Sequence, residues 1–277
     1  MGEPLKLNLG LPRPIESIVK RIFGLTELER VYQEVIDSDS HPLSPGVFCR
    51  ETLRALKVTY SFPDEKIAEL KELKGPLIFI ANHPFGAVEA VVLMTLMTEV
   101  RAEFKFIANA ILHALPELRP VLLPVEIMGD TTDAVSRREN ARLNIAAMKS
   151  AYDYLQSGGM LGVFPSGEVS ARKSLLDASV IEKPWHPHIA RMILKTKATV
   201  VPVYFKGRNT FFFQLLSLNQ KNPFISKLRI ALLARELVNR PRALSFTIQD
   251  PLLYEDFKRF SDPVELTQYL RDRTLNT

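Results

Sequence analysis

The sequence predicts an α/β protein, with a mixed and largely parallel sheet flanked by helices and with a helical N-terminal segment. Short apolar runs bounded by Gly or Pro recur along the chain, and segments with the apolar spacing of helices lie between them. This alternation is typical of a parallel sheet built from βαβ units. The 277 residues, of which 46% are hydrophobic and 24% charged, are enough for one large α/β domain.

Residues 1–65 form the predicted helical N-terminal segment. After an irregular, Pro-containing lead, apolar residues recur at helical spacing over 15–23, with Lys20 and Arg21 between them. This amphipathic helix either packs on the protein's own core or lies in a membrane interface. The other elements expected in this segment are helices at 25–36 and 45–56 and a strand at 58–62.

Residues 66–277 form the predicted main domain. The wholly apolar run Leu77–Ala81 lies between Gly75-Pro76 and Pro84, which is the pattern of a strand buried on both faces. The strands expected in this domain are 77–81, 104–108, 121–125, 160–164, 199–205 and 244–248. The helices expected are 66–74, a buried helix after Gly86, 112–118, a helix that ends at Leu155, 189–195 and an amphipathic C-terminal helix.

The strongest candidate site follows the strand Leu77–Ala81. Residues 82–86 have the sequence Asn-His-Pro-Phe-Gly, and the apolar helix after them carries one carboxylate, Glu89. The carboxyl ends of strands in an open α/β sheet are where ligands bind. His83 and Glu89 would lie about 120° apart on one straight helix. A contact between them therefore requires His83 to lie in a loop that curls back.

Pro84 and Gly86 permit such a loop, because Pro disfavours a helical lead-in and Gly tolerates unusual dihedral angles. In that geometry Glu89 holds one ring nitrogen of His83 and directs the other toward a substrate proton. The alternative is that His83 merely caps the helix and Glu89 is a hydrogen-bonded structural acid.

Further polar candidates follow other predicted elements. Arg137 and Arg138 stand where a helix begins, and such a pair binds a phosphate or carboxylate by forked hydrogen bonds or else forms a solvated face. Glu168 follows the strand 160–164 and Arg208 follows a later strand, in positions topologically like that of His83. A nucleophilic Ser166 would lack the Gly-x-Ser-x-Gly elbow, so a turn is the expected structure there.

Three stretches resemble the motifs of the PlsC-like glycerolipid acyltransferases, in the variant found in bacterial lyso-ornithine-lipid acyltransferases. Residues 82–89 are similar to the first motif, 164–170 to the Phe-Pro-x-Gly block and 201–204 to the final Val-Pro block. The blocks keep the family's order across roughly residues 75–210. The commonest first motif has Asp five residues after the histidine, whereas Glu89 stands six after. The commonest third block has Glu where Ser166 stands.

The resemblance implies a glycerolipid acyltransferase-like fold and transfer of a fatty acyl group to the hydroxyl of a lysolipid. The donor would be an acyl thioester, carried by acyl carrier protein or by coenzyme A. The acceptor would be of the lyso-ornithine or aminolipid type or of the lysophosphatidate type. His83 would be the general base and Glu89 its acidic partner, without a covalent enzyme intermediate. The residues implied to bind substrate are Asn82, Arg137, Arg138, Ser166, Gly167, Glu168 and Arg208.

The composition limits the classes of partner and ligand that we expect the protein to bind. The net charge of +5 suits anionic lipid, an acidic substrate or nucleic acid, and with the resemblance lipid is expected and nucleic acid is not. The single cysteine, Cys49, excludes an internal disulfide and is expected to be a buried hydrophobic residue. His186 and His188 lack further ligands nearby, so neither a metal nor a bound cofactor is expected.

The sequence also predicts where the protein works. The N-terminus lacks a signal peptide, and no segment is both long and apolar enough to span a bilayer. We therefore expect a peripheral protein at the cytoplasmic face of the membrane, in contact through the helix over 15–23 or the aromatic cluster 211–213. Two other function classes stay open, namely a non-catalytic peripheral lipid-binding protein and a lipid or thioester hydrolase.

Overall fold

The computed structural model of the protein describes residues 13–38, 43–126, 134–174, 179–218, 223–238 and 242–276. The strands are β1 (Val58–Thr59), β2 (Leu77–Ala81), β3 (Lys105–Asn109), β4 (Leu122–Val125), β5 (Met160–Val163), β6 (Ala171–Arg172), β7 (Val180–Ile181), β8 (Thr199–Lys206), β9 (Arg242–Ala243) and β10 (Ser245–Ile248). The helices are α1 (Arg13–Ile22), α2 (Leu25–Ile36), α3 (Pro45–Ala55), α4 (Asp64–Glu72), α5 (Val88–Val100), α6 (Ala134–Gln156), α7 (His188–Thr196), α8 (Phe211–Ser217), α9 (Pro223–Val238), α10 (Tyr254–Phe257) and α11 (Pro263–Leu275), with a 3₁₀ helix at Ala110–Ala114.

A six-stranded sheet in the order β10-β8-β2-β5-β3-β4 forms the centre of the fold. All neighbouring pairs are parallel except β10 and β8, which are antiparallel. The predicted mixed and largely parallel sheet is therefore confirmed. Because β2 lies between β8 and β5, the residues that follow these three strands meet at one edge of the sheet.

Both faces of the sheet are buried, which explains why the central strands are apolar throughout. In β2, Leu77, Phe79 and Ala81 face a core shared with α5, while Ile78 and Ile80 face a second core shared with α6, α7 and α11. Successive side chains of a strand point to opposite faces, so one apolar run supplies both cores. This packing fixes the end of β2 firmly.

The N-terminal helices α2 and α3 pack into the core that contains β2 and α5. Val35, Ile36 and Leu53 are fully buried in that cluster. Cys49 is buried there as well, which confirms its predicted role as a small hydrophobic residue, and burial raises the pKa of its thiol to about 12. The division of the chain at residue 65 stays a prediction.

Two predicted elements differ in the structure. The strand predicted over 58–62 is only β1, because its partner β9 offers two residues for pairing. The helix predicted over 112–118 is instead the short 3₁₀ helix, because Leu115 precedes Pro116 and takes an extended conformation. Most of the N-terminal lead lies outside the described residues.

The long apolar stretch after β2 is an interior helix. α5 has 13 residues, and ten of them are buried, including Leu93 and Met97. Across the described ranges, no helix combines the length and the apolarity needed to cross a membrane.

Candidate active site

The loop between β2 and α5 brings His83 back toward the helix. The loop occupies residues 82–87, so His83 lies outside regular structure, as predicted. Gly86 has a φ of +95°, a conformation that side-chain-bearing residues rarely adopt. A Cβ atom at Gly86 would also lie 2.8 Å from Leu233 Cδ2 and 2.9 Å from Val169 Cγ2. The turn and the close packing therefore both require glycine.

Glu89 organises this loop from the first turn of α5. Its Oε1 accepts hydrogen bonds from the backbone N–H groups of Phe85 (2.6 Å) and Gly86 (2.7 Å), and its Oε2 accepts one from Ala87 (3.1 Å). His83 Nδ1 lies 3.1 Å from Glu89 Oε1. The structure thus brings together the two residues that the loop hypothesis required to meet.

Glu89 is fully buried, yet it is held as a carboxylate. Burial by itself would raise its pKa, but the contact with His83 and the backbone N–H groups of Gly86 and Phe85 outweigh burial and lower the pKa. A charged Glu89 favours a proton on the facing Nδ1, which leaves Nε2 as the nitrogen with a lone pair. The Nδ1 contact is within hydrogen-bond distance but lacks the alignment of a linear hydrogen bond.

The rest of His83 is also fixed. Its ring stacks on Phe164, with the centroids 4.1 Å apart and the planes at 18°. Its side chain is 15% exposed, and Nδ1 is buried, so the exposed part of the ring lies away from Glu89. Its backbone carbonyl accepts a hydrogen bond from Ser170 N (2.8 Å), and its backbone N–H donates to Glu182 Oε2 (3.2 Å).

Glu182 was not among the residues predicted from the sequence. It is 7% exposed and also accepts hydrogen bonds from Ser170 Oγ (2.5 Å) and Trp185 Nε1 (3.2 Å). The sequence holds no signal for this residue, because its contact with the loop spans 99 positions of the chain.

Asn82, predicted to bind substrate, ties β2 to β8. Its Nδ2 donates to the carbonyl of Phe205 (2.9 Å), and its Oδ1 accepts from the N–H of Phe205 (2.7 Å). The segment after β8 also supports the loop. Asn209 Nδ2 donates to the carbonyl of Phe85 (2.9 Å), and a Cβ atom at Gly207 would lie 2.5 Å from Phe85 Cζ. Asn82 is thus bound to the backbone of β8 through both polar groups of its side chain, and Asn209 binds the backbone of the loop.

The predicted substrate residues Ser166, Gly167 and Glu168 form a turn after β5, the strand beside β2. Ser166 is 2% exposed, and its Oγ donates to the carbonyl of Glu168 (3.0 Å). Gly167 has a φ of +65°. Glu168 is half-buried, with Lys183 Nζ 3.7 Å from its carboxylate. Of the three, only Glu168 carries a charged group, and its side chain is 43% exposed.

The predicted arginines lie at different ends of this edge. Arg208 follows β8, which is next to β2, and it is exposed. Arg137 and Arg138 are exposed near the start of α6, which follows β4, and β4 is three strands along from β2. At the usual spacing this separation is about 14 Å. Arg208 and the two arginines of α6 therefore follow strands on opposite sides of β2.

Metal chemistry finds little support in the described residues. No group of three or more His, Cys, Asp or Glu side chains in those ranges is arranged to hold a metal ion. His186 instead donates its backbone N–H to the carbonyl of Pro165 (3.0 Å), and His188 begins α7.

Comparison with known proteins places the chain in a family. Residues 22–274 match the family described as Acyltransferase. A lyso-glycine lipid O-acyltransferase of Bacteroides thetaiotaomicron is 25% identical over 276 residues, which cover 95% of this chain and 89% of that protein. A lyso-glycine lipid O-acyltransferase of Phocaeicola vulgatus is 24% identical over 225 residues, which cover 78% of this chain and 75% of that protein. The family match spans nearly the whole chain, and the chain therefore belongs to the acyltransferase family, whose members transfer acyl groups.

Proposed function

We propose that the protein transfers a fatty acyl group from an acyl thioester to the hydroxyl of a lysolipid, with His83 as the general base. The observation that carries the proposal is the contact of His83 Nδ1 with the buried, ionised Glu89 at the carboxyl edge of the sheet. The names of the two bacterial relatives support a lysolipid acceptor, of the aminolipid type in particular.

In the proposed reaction, Nε2 of His83 takes the proton of the acceptor hydroxyl as its oxygen attacks the thioester carbon. The carbon–sulfur bond breaks, the thiolate leaves, and the proton passes from His83 to that sulfur. Glu89 stabilises the positive imidazolium that exists between the two proton transfers. No covalent intermediate with the enzyme is needed.

Acceptor binding is proposed for the charged side chains on the strands that flank β2. Glu168 follows β5 and Arg208 follows β8, so the two bracket the His83 loop. An acceptor with both an amine and an acidic group offers a partner for each of these charges. Arg137 and Arg138 lie farther along the edge, where a longer substrate or the acyl carrier would meet them.

Membrane contact is proposed at the same edge of the sheet. Ile111 follows β3 and is 60% exposed, and Val135 near the start of α6 is 66% exposed. Phe211 and Phe212, after β8, are 67% and 54% exposed. An apolar rim around a site whose acceptor is an amphiphile suits peripheral docking on a lipid surface, here the cytoplasmic face of the membrane.

Residues 15–23 and 211–213, the two alternative membrane contacts predicted from the sequence, both contribute to one small apolar cluster. Phe213 of α8 is in that cluster, and Phe23, directly after α1, packs against it. Ile18 and Ile22 of α1 are exposed. The helix α1 and the aromatic residues of α8 therefore act together in the proposed contact.

A substrate-dependence assay tests the proposed reaction. Purified protein is given acyl-CoA or acyl-ACP, with or without a lysolipid carrying an amino-acid, glycine or phosphate headgroup, and free thiol and acylated lipid are measured. We expect thiol release to require the lysolipid and to equal the acylated lipid formed. Thiol release with water alone would identify a hydrolase, and no turnover with any pair would favour a binding protein.

Vesicle sedimentation tests the membrane contact. We expect folded protein to sediment with anionic vesicles at low salt, and replacement of Phe211 and Phe212 by Ser to weaken this binding. The matched control is Ile145→Ser, which removes a 69% exposed residue far along α6 from the sheet edge. Release by high salt would assign the contact to cations, because salt screens charges and not inserted aromatic rings. Failure to sediment at low salt would remove the proposal.

A further inference from the structure

We propose that Glu182 is a positioning residue of the active site, which fixes the backbone of His83 and thereby the direction of its imidazole. This inference rests on the proposed role of His83 as general base. Glu182 touches neither the ring nitrogen that faces Glu89 nor the acceptor site proposed above, so its effect on the reaction passes through the backbone of His83.

The position of Glu182 comes from a short hairpin. Ser170 directly precedes β6 and Glu182 directly follows β7, and the antiparallel pair Ala171 and Ile181 places the two next to each other. Ser170 N donates to the carbonyl of His83, and the N–H of His83 donates to Glu182. Both backbone polar groups of the proposed base are therefore held by the two ends of one hairpin.

Three donors within the protein bind the carboxyl group of Glu182. One oxygen accepts from Ser170 Oγ and His83 N, and the other accepts from Trp185 Nε1. Arg271 Nη2 of α11 donates to the backbone carbonyl of Glu182 (2.9 Å), which anchors the residue from outside the hairpin.

Packing alone does not account for a carboxylate in this place. Burying a carboxyl group is costly unless its oxygens accept hydrogen bonds, and an apolar replacement of such a buried group is often neutral or stabilising. Glu182 offers two acceptor oxygens to three donors that converge from separate segments, which a neutral amide with one acceptor oxygen cannot match. One of those donors is the backbone N–H of His83, whose Nε2 must face the acceptor hydroxyl in the proposed reaction.

The expected consequence is kinetic. A displacement of about 1 Å in a catalytic group commonly reduces a rate by about 10²-fold. We expect Glu182→Ala to lower kcat by about this factor and to change the acceptor and donor KM values by less than about threefold, because no substrate contact is removed. A merely structural residue would lower kcat only as far as it lowers the folded fraction.

The conservative variant provides the rescue test. In Glu182→Gln the amide oxygen still serves His83 and Ser170, but its NH₂ group faces the N–H of Trp185, donor against donor. We expect an intermediate kcat for Glu182→Gln and recovery to within about threefold of the parent when Trp185→Phe is added, since that change removes the opposing donor. Failure of the double variant to exceed Glu182→Gln would contradict the geometry.

Two controls distinguish a loss of stability, a wrong role for Glu182 and a wrong role for His83. Leu53→Ala, in the core at α3, should lower the melting temperature while kcat of the folded protein stays parental. His83→Ala and His83→Ala/Glu182→Ala should have equal residual rates, because positioning has no effect without the base. An inactive His83→Ala together with a parental Glu182→Ala would overturn this inference alone. An active His83→Ala would overturn the proposed function.

Discussion

The loops after β2 and β5 make an instructive comparison, because they follow neighbouring parallel strands and are both built from Pro and from a Gly with positive φ. In the first loop, Glu89 from the next helix binds three backbone N–H groups and also faces the ring of His83. In the second, Ser166 donates to the carbonyl of Glu168 within its own turn. In the first loop, a side chain from the next helix therefore holds the loop and faces the His83 ring. In the second loop, the hydroxyl of Ser166 only stabilises its own turn.

The difference is also electrostatic. Glu89 carries a buried negative charge that faces the ring of His83, which is the charge that the proposed reaction requires beside an imidazolium. Ser166 is equally buried but neutral and satisfied. A reactive residue next to a strand end thus needs both an orienting partner and an unused polar atom, and in these two loops His83 alone has both.

The largest expected effect is the loss of His83. We expect His83→Ala to lower kcat by about 10²–10⁴-fold, the range for a general base. The fold should remain, because the side chain is at the edge of the core. The measurement is acyl transfer by protein whose melting temperature and circular dichroism match the parent. Turnover near the parental rate would remove His83 from the mechanism.

Glu89→Gln is expected to have the next largest effect. The change keeps the volume but removes the charge that stabilises an imidazolium, and it leaves one acceptor oxygen where three N–H groups converge. We expect kcat to fall by about 10²-fold with KM nearly unchanged. Steady-state kinetics on both substrates measure this. Equal kcat values for parent and variant would reduce Glu89 to a structural acid.

For the parent protein and Glu89→Gln we also expect stabilities that depend differently on pH. The pKa of Glu89 is lowered by folding, so its charge stabilises the fold fully above the unfolded value of about 4.3, and this contribution is lost as the pH falls through the folded pKa. The difference in melting temperature between parent and Glu89→Gln should therefore shrink as the pH falls below about 4. Ser166→Ala, which removes no titratable group, is the control. A difference that grows as the pH falls below about 4 would contradict a lowered pKa.

The two sets of arginines sharpen the comparison outside the loops. Arg208 follows a strand next to β2, whereas Arg138 follows a strand three positions away. If Arg208 binds an anionic group of the acceptor, Arg208→Met should raise the acceptor KM about tenfold or more, as expected for a lost charge-assisted hydrogen bond. Arg138→Met should raise the acceptor KM much less, and Arg208→Met should leave the donor KM nearly unchanged. Equal changes in both KM values would indicate general damage.

The sequence allowed local structure and short-range contacts to be predicted well. β2 and α2 have the predicted bounds, because an apolar run between breakers and a helical period are properties of neighbouring residues. The meeting of His83 and Glu89 was predictable because Gly86 permits the turn over six positions. Contacts between distant segments were not predictable.

Three features illustrate why the rest could not be predicted. Glu182 reaches His83 across 99 positions through strands of two residues, which leave no periodic pattern. The separation of Arg138 from Arg208 depends on strand order, which a sequence does not specify locally. The helix α9 is not among the elements predicted from the sequence. In each case tertiary packing, rather than local preference, decides the outcome.

The smallest expected effect is that of Ser166→Ala, which tests the second loop directly. The resemblance implies a substrate contact for Ser166, and its loss would then raise the acceptor KM by about tenfold. The observed bond to Glu168 instead implies a loss of about 1 kcal/mol of stability, because one buried hydrogen bond disappears, and a kcat and KM within about threefold of the parent. Chemical denaturation and steady-state kinetics on one preparation distinguish these outcomes. A tenfold rise in KM with unchanged stability would mean that the turn opens to offer its hydroxyl to the acceptor, and the contrast between the two loops would then not hold.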